Sequence, residues 1–383
     1  MLSKWYNYPR RRKMESLIRN TPSLDAACAA AQAGGILALD TELVWMRTYR
    51  PILGIVQMAD AEGHCHAIDC LLGTNPASLG NLIADAHITK ILHDARQDLE
   101  HLRHYTGVCP QNVFDTQLAA AFAGFPGGIG LQKLLSEAIN VNLPKTETRT
   151  DWTQRPLTDA QVDYALDDVR YLDELRQTLL ANADELGTRA WLEEELQRYN
   201  NPALYADLVP EEAWKKVKCG RIRLDGAGRA RLQAIAAVRE TKAREWNLPK
   251  TWLSDDQSLA EIAERPLKGG TPRFRHRLKN NGQRDTLAAH YAEALAQAAD
   301  LPEEDWPADN HVRYLPEVQE AADNAIVWLR EKAAAIHVDA TTIASRAVVT
   351  AFLDNPEDDT NVLAQGWRFE TAGRELAALF AVD

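Results

Sequence analysis

The segment Gly35-Ile-Leu-Ala-Leu-Asp-Thr-Glu42 decides the fold of the first half of the chain. It begins as an apolar strand and ends in two carboxylates, Asp40 and Glu42. Side chains alternate between the two faces of a strand, so both acids lie on the face that also carries Ile36 and Ala38. Two carboxylates on such a face repel each other, and a bound divalent cation removes that cost. The segment therefore predicts a metal site at the end of this strand.

Length and composition indicate a globular protein of several domains. A chain of 383 residues is expected to form two or three domains, and its 45% hydrophobic and 26% charged residues are typical of soluble proteins. It contains no run of about 18 apolar residues that would span a membrane. The basic run at residues 10–13 lacks the apolar segment of a secretory signal. Five cysteines without a CxxC pair indicate reduced thiols in a cytoplasmic protein.

The acidic and basic residues are unevenly distributed. The formal net charge is −12, and residues 301–383 carry sixteen acids against six basic residues. Residues 265–284 carry seven basic residues and no acid, interleaved with Phe274 and His276. This pattern favours contact with an RNA backbone, although a merely solvated basic face is the alternative. The predicted contact residues are Arg273, Arg275, Arg277 and Lys279.

The order of the elements predicts a mixed α/β sheet followed by helices. Three strands come in quick succession at residues 36–42, 52–59 and 64–68, and further strands then alternate with helices. From Trp214 onward the patterns are all helical and form two sets of similar size, which we interpret as distant repeats. Met14 is an alternative start to Met1. We predict an extension at 1–13, a first domain at 14–200, linkers at 201–224 and 301–314, and helical domains at 225–300 and 315–383.

Three further sites are candidates to join Asp40 and Glu42. Asp98 lies one turn into a helix that follows the short strand at residues 88–92. Tyr164 and Asp168 are spaced i, i+4 on a helix that opens with a Thr158–Gln161 capping box, so they share a face. Asp115 follows another strand, and a structural role at a strand–helix junction is its simpler interpretation.

Four acids and a tyrosine suit one chemistry. Two Mg²⁺ ions roughly 3.5–4 Å apart can clamp the attacking and leaving oxygens of a phosphodiester. Carboxylates are suitable ligands because Mg²⁺ is hard and prefers oxygen. A tyrosine with an ordinary pKa of about 10 is a poor base at neutral pH, so Tyr164 is expected to orient the attacking water. We predict that Asp40, Glu42, Asp98 and Asp168 hold two Mg²⁺ or Mn²⁺ ions.

The motifs Asp40-Thr-Glu42, His93-Asp-Ala-Arg-Gln-Asp98 and Tyr164-Ala-Leu-Asp-Asp168 resemble, in order and separation, the three exonuclease motifs of the DEDDy family. Within it the chain is most similar to bacterial ribonuclease D. The resemblance implies an RNase H-like α/β fold with a mixed sheet, followed by two all-α HRDC domains. It also implies metal-dependent 3′→5′ trimming of RNA, including tRNA precursors. We expect a monomer.

Two other functions compete with this one. A DNA 3′→5′ exonuclease would use the same metal architecture, since no residue reads a 2′-hydroxyl from the sequence alone. A catalytically silent RNA-binding module is the second, and the intact acid set disfavours it. Two local alternatives also arise. Asp167 competes with Asp168, but pairing with Arg170 explains it, and His64-Cys-His66 lacks the spacing of a closed zinc site.

Overall fold

A computed structural model describes residues 16–45, 47–143, 150–265, 272–309 and 313–380. The predicted extension with its two candidate start residues, and Lys268 of the basic segment, lie outside these ranges. Six strands lie within these ranges and belong to one sheet. They are β1 (Leu17–Ile18), β2 (Ile36–Val44), β3 (Ile52–Asp60), β4 (Cys65–Asp69), β5 (Thr89–Leu92) and β6 (Val113–Asp115).

The sheet has the order β1-β4-β3-β2-β5-β6 and is mixed, as predicted. β4 pairs antiparallel with β3, and Val56 lies opposite Ile68. β5 pairs parallel with both β2 and β6, so that Ala38 lies beside Ile91 and Leu92 lies beside Asp115. The acid-bearing strand is therefore central, and its carboxyl end points the same way as those of β5 and β6.

Helices cover both faces of this sheet. The first eight are α1 (Thr21–Gly34), α2 (Ala77–Ala84), α3 (Ala95–Thr106), α4 (Thr116–Phe122), α5 (Leu131–Ile139), α6 (Asp159–Arg170), α7 (Leu172–Leu186) and α8 (Arg189–Leu196). Leu37 and Leu39 of β2 pack in one core with residues of α1, α2 and α3. Ala38, which points to the other face, packs in a second core with Val169 of α6 and residues of α4 and α7.

Local expectations for this region hold with two exceptions. The Thr158 capping box is present at the start of α6. For α1, the sequence predicts a cap at Thr21 or Ser23, both of which are cap-forming residue types. The structure instead shows Asn20 as the cap, and its side chain accepts from the Ser23 N–H. Residues 141–156 are polar and include two prolines, a pattern that predicts a surface excursion. Trp152 of this stretch nevertheless belongs to a core and is only 3% exposed.

Nine further helices follow in the described part of the chain. They are α9 (Gly226–Glu245), α10 (Lys250–Leu253), α11 (Asp256–Glu264), α12 (Asn281–Ala299), α13 (Pro316–Ala335), α14 (Ala340–Ile343), α15 (Arg346–Asp354), α16 (Gly366–Arg368) and α17 (Arg374–Phe380), the last two joined by a π-helical turn. No helix in the described part of the chain combines the length and apolar character needed to cross a membrane.

The two helical sets follow one plan. The bounds of α9 and α13, of α10 and α14, and of α11 and α15 all differ by 90 residues. In both sets the turn after the long helix contains a residue in the left-handed conformation, Asn247 in the first and His337 in the second. Lengths, spacing and turn conformation therefore agree with an internal repeat.

The chain divides into two compact units. One comprises the residues up to Val44, Leu53–Tyr205 and the residues from Tyr314 onward; the other comprises Trp45–Ile52 and Ala206–Arg313. In the second unit, α9, α11 and α12 enclose a core that includes Trp214, Ile235 and Tyr291. The second helical set therefore belongs to the same compact unit as the sheet.

Trp367 of α16 is the centre of the packing between the second helical set and the helices beside the sheet. Its ring stacks on Trp191 at 5.6 Å between centroids and meets Phe122 edge-on at 5.3 Å. Its indole N–H donates to Glu195 Oε1 at 2.8 Å, and Arg368 pairs with the same carboxylate. This helical set is thus part of the first unit's core.

We expect Trp367→Ala to lower the free energy of unfolding by about 3–5 kcal/mol, because a large buried ring is lost and the Glu195 carboxylate loses a donor. Urea denaturation followed by circular dichroism measures this. Leu379→Ala is the control, since Leu379 is 60% exposed and its loss should cost no more than about 0.5 kcal/mol. Equal effects of the two substitutions would contradict this account of the core.

Candidate active site

Three carboxylates converge at the end of β2. Asp40 and Glu42 of β2 and Asp168 of α6 each offer an oxygen, and these oxygens all lie within 4.8 Å of one another. Alternation along β2 puts Asp40 and Glu42 on the face of Ala38, and α6 packs against that face through Val169, the neighbour of Asp168. The strand and the helix therefore deliver the three acids from one side of the sheet.

Asp98 reaches the site differently and is not part of this group of three. It lies in the first turn of α3, which packs through Leu99 on the opposite face of β2, the face of Leu37 and Leu39. The Thr41 hydroxyl donates a hydrogen bond to Asp98 Oδ1. Asp98 is therefore tied to β2 through the residue between the two strand acids.

Burial, aided by nearby negative charges, disfavours the charged forms of all four acids. Burial, followed by the charges of Asp98, Asp168 and Glu42, holds the pKa of Asp40 well above its ordinary value. Burial and the charges of Asp168 and Asp98 raise the pKa of Glu42 to about 8. Burial, then the charge of Asp167, raises the pKa of Asp168 to about 7.

The pKa of Asp98 responds to opposing influences. Burial raises it to about 6, while the hydrogen bond from Thr41 acts in the opposite direction. The charge of Asp98 helps to raise the pKa values of both Asp40 and Glu42, so it lies close to theirs. The four acids thus behave as one electrostatic group, although only three of them are close enough to share a single ion.

Tyr164 lies one helical turn before Asp168 on the same face of α6. Its ring packs against Trp152, with 6.2 Å between centroids. Burial and the charges of Asp168, Glu42 and Asp40 raise the pKa of its phenol, so it stays protonated at neutral pH. A neutral phenol beside the acids can donate or accept a hydrogen bond but does not serve as a base.

The acids fit divalent cations. Each is partly buried, and the charges of Asp98 and Asp168 disfavour the charged forms of Asp40 and Glu42. An added positive charge relieves this repulsion. All the donor atoms are carboxylate oxygens, which suits Mg²⁺ or Mn²⁺ rather than zinc. Within the described residues, Asp40, Glu42 and Asp168 are the one set of His, Cys, Asp or Glu side chains clustered tightly enough for an ion, so His64 and His66 do not form a second centre.

Two contributors were missed from the sequence. The side chain of Thr41 points to the strand face opposite the two acids, where its hydroxyl donates to Asp98. Gln57 of β3 is fully buried, and its Nε2 lies 3.5 Å from Asp40 Oδ2. A polar residue inside an otherwise apolar strand run, Ile55-Val-Gln57-Met-Ala59, is the sequence signal that identifies such a position.

The simpler interpretations of two acids are confirmed. Asp167 pairs with Arg170 at 3.0 Å. Asp115 accepts hydrogen bonds from backbone N–H groups at the junction of β6 and α4. Neither carboxylate belongs to the group of three.

The predicted nucleic-acid contacts lie in the second unit. Arg273, Arg277 and Lys279 are exposed, whereas the exposed Arg275 is engaged locally. Its guanidinium donates to Asp255 at 2.7 Å and lies 3.7 Å from Glu261. Among the described residues, Arg275 is thus the one of these four side chains for which an ion pair is seen.

Comparison with known proteins places this site in a family. A family model described as 3′-5′ exonuclease matches residues 16–183, which include all four acids and Tyr164. A ribonuclease D from Desulfotalea psychrophila is 40% identical over 324 residues, covering 83% of this chain and 84% of that protein. The chain belongs to the ribonuclease D family.

Two further relatives extend the match along the chain. A ribonuclease D from Sphingobium indicum is 33% identical over 374 residues and covers 96% of this chain and 95% of its own length. The crystal structure of Escherichia coli RNase D, described as an exoribonuclease involved in structured RNA processing, superposes with a TM-score of 0.80. It is 29% identical and covers 95% of this chain and 97% of its own. Family membership thus includes the helical regions.

The raised pKa values give the metal-free protein a predictable pH dependence. As pH rises, the unfolded chain releases the Glu42 proton near 4.5, but the folded protein retains it until about 8. Stability therefore falls between these values and is constant above them. After removal of metal with EDTA, we expect the melting temperature to be lower near pH 9 than near pH 5. In Glu42→Gln, this difference in melting temperature between the two pH values should be smaller by on the order of 5 °C.

The control for this experiment is Glu185→Gln, an exposed position on α7. It should leave the pH profile of the melting temperature as in the parent. A Glu42→Gln profile that matches the parent's would contradict the assignment of the pH effect to the site.

Proposed function

We propose that this protein is a metal-dependent 3′→5′ exoribonuclease that hydrolyses RNA one nucleotide at a time from the 3′ end. The observation that supports it best is the convergence of Asp40, Glu42 and Asp168, with Asp98 linked through Thr41, in a chain of the ribonuclease D family. Water adds to the terminal phosphorus and the P–O bond to the preceding ribose breaks. The products are a nucleoside 5′-monophosphate and a shortened RNA with a free 3′-hydroxyl.

The four acids would hold two divalent cations, Mg²⁺ or Mn²⁺. When bound, these ions supply charge to the attacking water and to the departing 3′-oxygen. Asp40 and Glu42 hold their positions because they are part of a central strand, and Asp168 because α6 is packed against that strand. Thr41 keeps one oxygen of Asp98 oriented by donating to it.

Tyr164 is proposed to orient the attacking water. Its phenol remains protonated beside the acids, so it acts by hydrogen bonding and not by removing a proton. The contact with the buried Trp152 limits the movement of its ring. The phenol and the acids together fix the line along which water approaches phosphorus.

RNA is the proposed substrate, and 3′ ends of tRNA precursors are a proposed class. The relative from Escherichia coli is described as acting in structured RNA processing, which agrees with this proposal. DNA is the competing substrate because the metal chemistry is the same for both. RNA is favoured because the chain belongs to a family that is named for ribonuclease activity.

The two helical sets are proposed to be HRDC domains. Their common plan, with matching helix bounds 90 residues apart, supports two copies of one domain. The boundaries proposed from the sequence are 225–300 and 315–383, preceded by a nuclease domain at 14–200 and separated from it and from each other by linkers at 201–224 and 301–314.

A cytoplasmic, monomeric enzyme is also proposed. All five cysteines carry free thiols, which suits a reducing compartment. Size-exclusion chromatography with light scattering tests the monomer directly.

Matched RNA and DNA oligonucleotides with a 5′ label test the central proposal. We expect a ladder of products shortened from the 3′ end, faster trimming of RNA, and complete loss of activity in EDTA. Asp40→Asn should lower kcat by more than about a hundredfold, because removing even a residue behind a metal ligand costs 10–100-fold. Glu185→Gln serves as the control and should trim at the parent rate.

Faster trimming of DNA would replace RNA as the proposed substrate. Activity of Asp40→Asn equal to the parent's would reject the metal site and favour the non-catalytic RNA-binding alternative.

The basic segment makes a separate contribution. We expect the triple substitution Arg273→Ala, Arg277→Ala and Lys279→Ala to weaken binding of single-stranded RNA and to reduce the salt dependence of binding by up to about two ions. Fluorescence anisotropy across a series of salt concentrations measures both. Arg275→Ala is the matched control and should change the slope little, because Asp255 already neutralises that guanidinium. If the triple variant shows the same salt dependence of binding as the parent, the segment is a solvated basic face and does not contact RNA.

A further inference from the structure

Asp115 is a buried carboxylate that ties two helices to the sheet. It is 3% exposed and ends β6. Its Oδ1 accepts from the N–H groups of Gln117 and Leu118 at 2.9 and 3.3 Å, which caps α4. The same carboxylate also accepts from Asp94 at 3.0 Å and from Ala95 at 3.1 Å, the residues where α3 begins. One side chain thus fixes the starts of both helices.

The start of α3 adopts a conformation that needs such support. Asp94 has φ of 57°, in the left-handed region that few residues other than glycine adopt. It lies two residues after Leu92, which pairs with Asp115 in the sheet. The hydrogen bonds from Asp94 and Ala95 to Asp115 hold the chain in this turn, and α3 leaves the sheet in a fixed direction as a result.

Tyr199 completes the set of donors. It belongs to a short 3₁₀ turn, Gln197–Asn200, after α8, and it is 1% exposed. Its hydroxyl donates to Asp115 Oδ2 at 2.5 Å. In turn, the Tyr205 hydroxyl donates to the Tyr199 backbone carbonyl at 2.8 Å. A segment more than 80 residues away along the chain therefore orients the Asp115 carboxylate.

Asp98 lies in the turn of α3 that this arrangement holds. The acid is four residues after Asp94, and the negative charge of Asp115 is among the influences that raise the pKa of Asp98. Asp98 comes from the opposite face of the sheet to Asp168, so its position depends on where α3 begins. The Thr41 hydroxyl then donates a side-chain hydrogen bond to Asp98 itself.

We infer that Asp115 and Tyr199 are positioning residues, which set the place of Asp98 relative to the acids of β2 by fixing the start of α3. This rests on the proposed function, in which Asp98 is a metal ligand. Neither residue belongs to the group of three acids, and both act through the start of α3. Their effect is on metal affinity and kcat, and the KM for RNA stays as in the parent.

The test compares Tyr199→Phe, Asp115→Asn and Asp98→Asn with the parent. Titration of the EDTA-stripped protein with Mn²⁺ alone measures metal affinity. We expect Asp115→Asn to bind Mn²⁺ ~10-fold more weakly, and Tyr199→Phe to show a smaller loss in the same direction. Steady-state kinetics at fixed Mn²⁺ should show a lower kcat with KM for RNA unchanged, partly restored by excess Mn²⁺.

A second readout needs no metal. Hydrogen exchange of the Asp94 and Ala95 amides should be faster in both positioning variants than in the metal-free parent. The control is Tyr105→Phe, at the other end of α3, where the hydroxyl contacts Thr74 at 3.0 Å. This substitution removes a tyrosine hydroxyl from α3 itself. It should leave the Mn²⁺ affinity and the exchange rates of the Asp94 and Ala95 amides unchanged.

The outcomes separate this inference from the function on which it rests. If Asp98→Asn weakens Mn²⁺ binding but both positioning variants bind as the parent does, the inference is overturned and the metal site stands. If Asp98→Asn also binds Mn²⁺ as the parent does, the metal site and the inference both fail. Should Asp115→Asn not fold, Tyr199→Phe decides alone, because it removes only a hydroxyl.

Discussion

Coulomb repulsion among the carboxylates at the end of β2 is the interaction that the rest of the first unit must oppose. Asp40 and Glu42 are neighbours on one strand face, and Asp168 and Asp98 add charge from helices on either side. Apolar packing supplies the opposing force, since Leu37, Ala38 and Leu39 immediately before the acids are fully buried in two cores. The site is a place where the structure carries a cost that a cation removes.

The sequence was sufficient for the parts of the site that follow from local periodicity. Alternation put Asp40 and Glu42 on one face, and helical spacing put Tyr164 and Asp168 together. It was insufficient where tertiary packing decides. Asp98 lies on the face of β2 opposite Asp168 because α3 packs in the core of Leu37 and Leu39. The spacing of the motifs does not reveal which core α3 joins. Likewise, the burial of Trp152 within a polar stretch depends on contact with Tyr164, more than ten residues away.

The repeated helical plan shows how different chemistry supports one backbone. In the first set, Arg239 is 5% exposed, pairs with Asp256 at 2.8 Å and donates to the Ser254 carbonyl at 3.0 Å. Ninety residues later its counterpart is Leu329, which is 1% exposed. A buried arginine, paired with a partly exposed aspartate, and a buried leucine thus occupy matching places. This agrees with the observation that paired charges in a protein interior are often replaceable by apolar residues. The backbone plan does not require the charges.

The segment Trp45–Ile52 leaves the sheet after β2 and returns at β3, yet it belongs to the second unit. There the Tyr49 hydroxyl donates to the buried Glu240 and accepts from Arg244 at 2.9 Å. The second unit is consequently formed by two segments that are separate in the sequence. A deletion that joins residue 205 to residue 314 would keep these eight residues but remove Glu240, the acceptor of the Tyr49 hydroxyl. Shortened forms of the enzyme are best built with this loop redesigned at the same time.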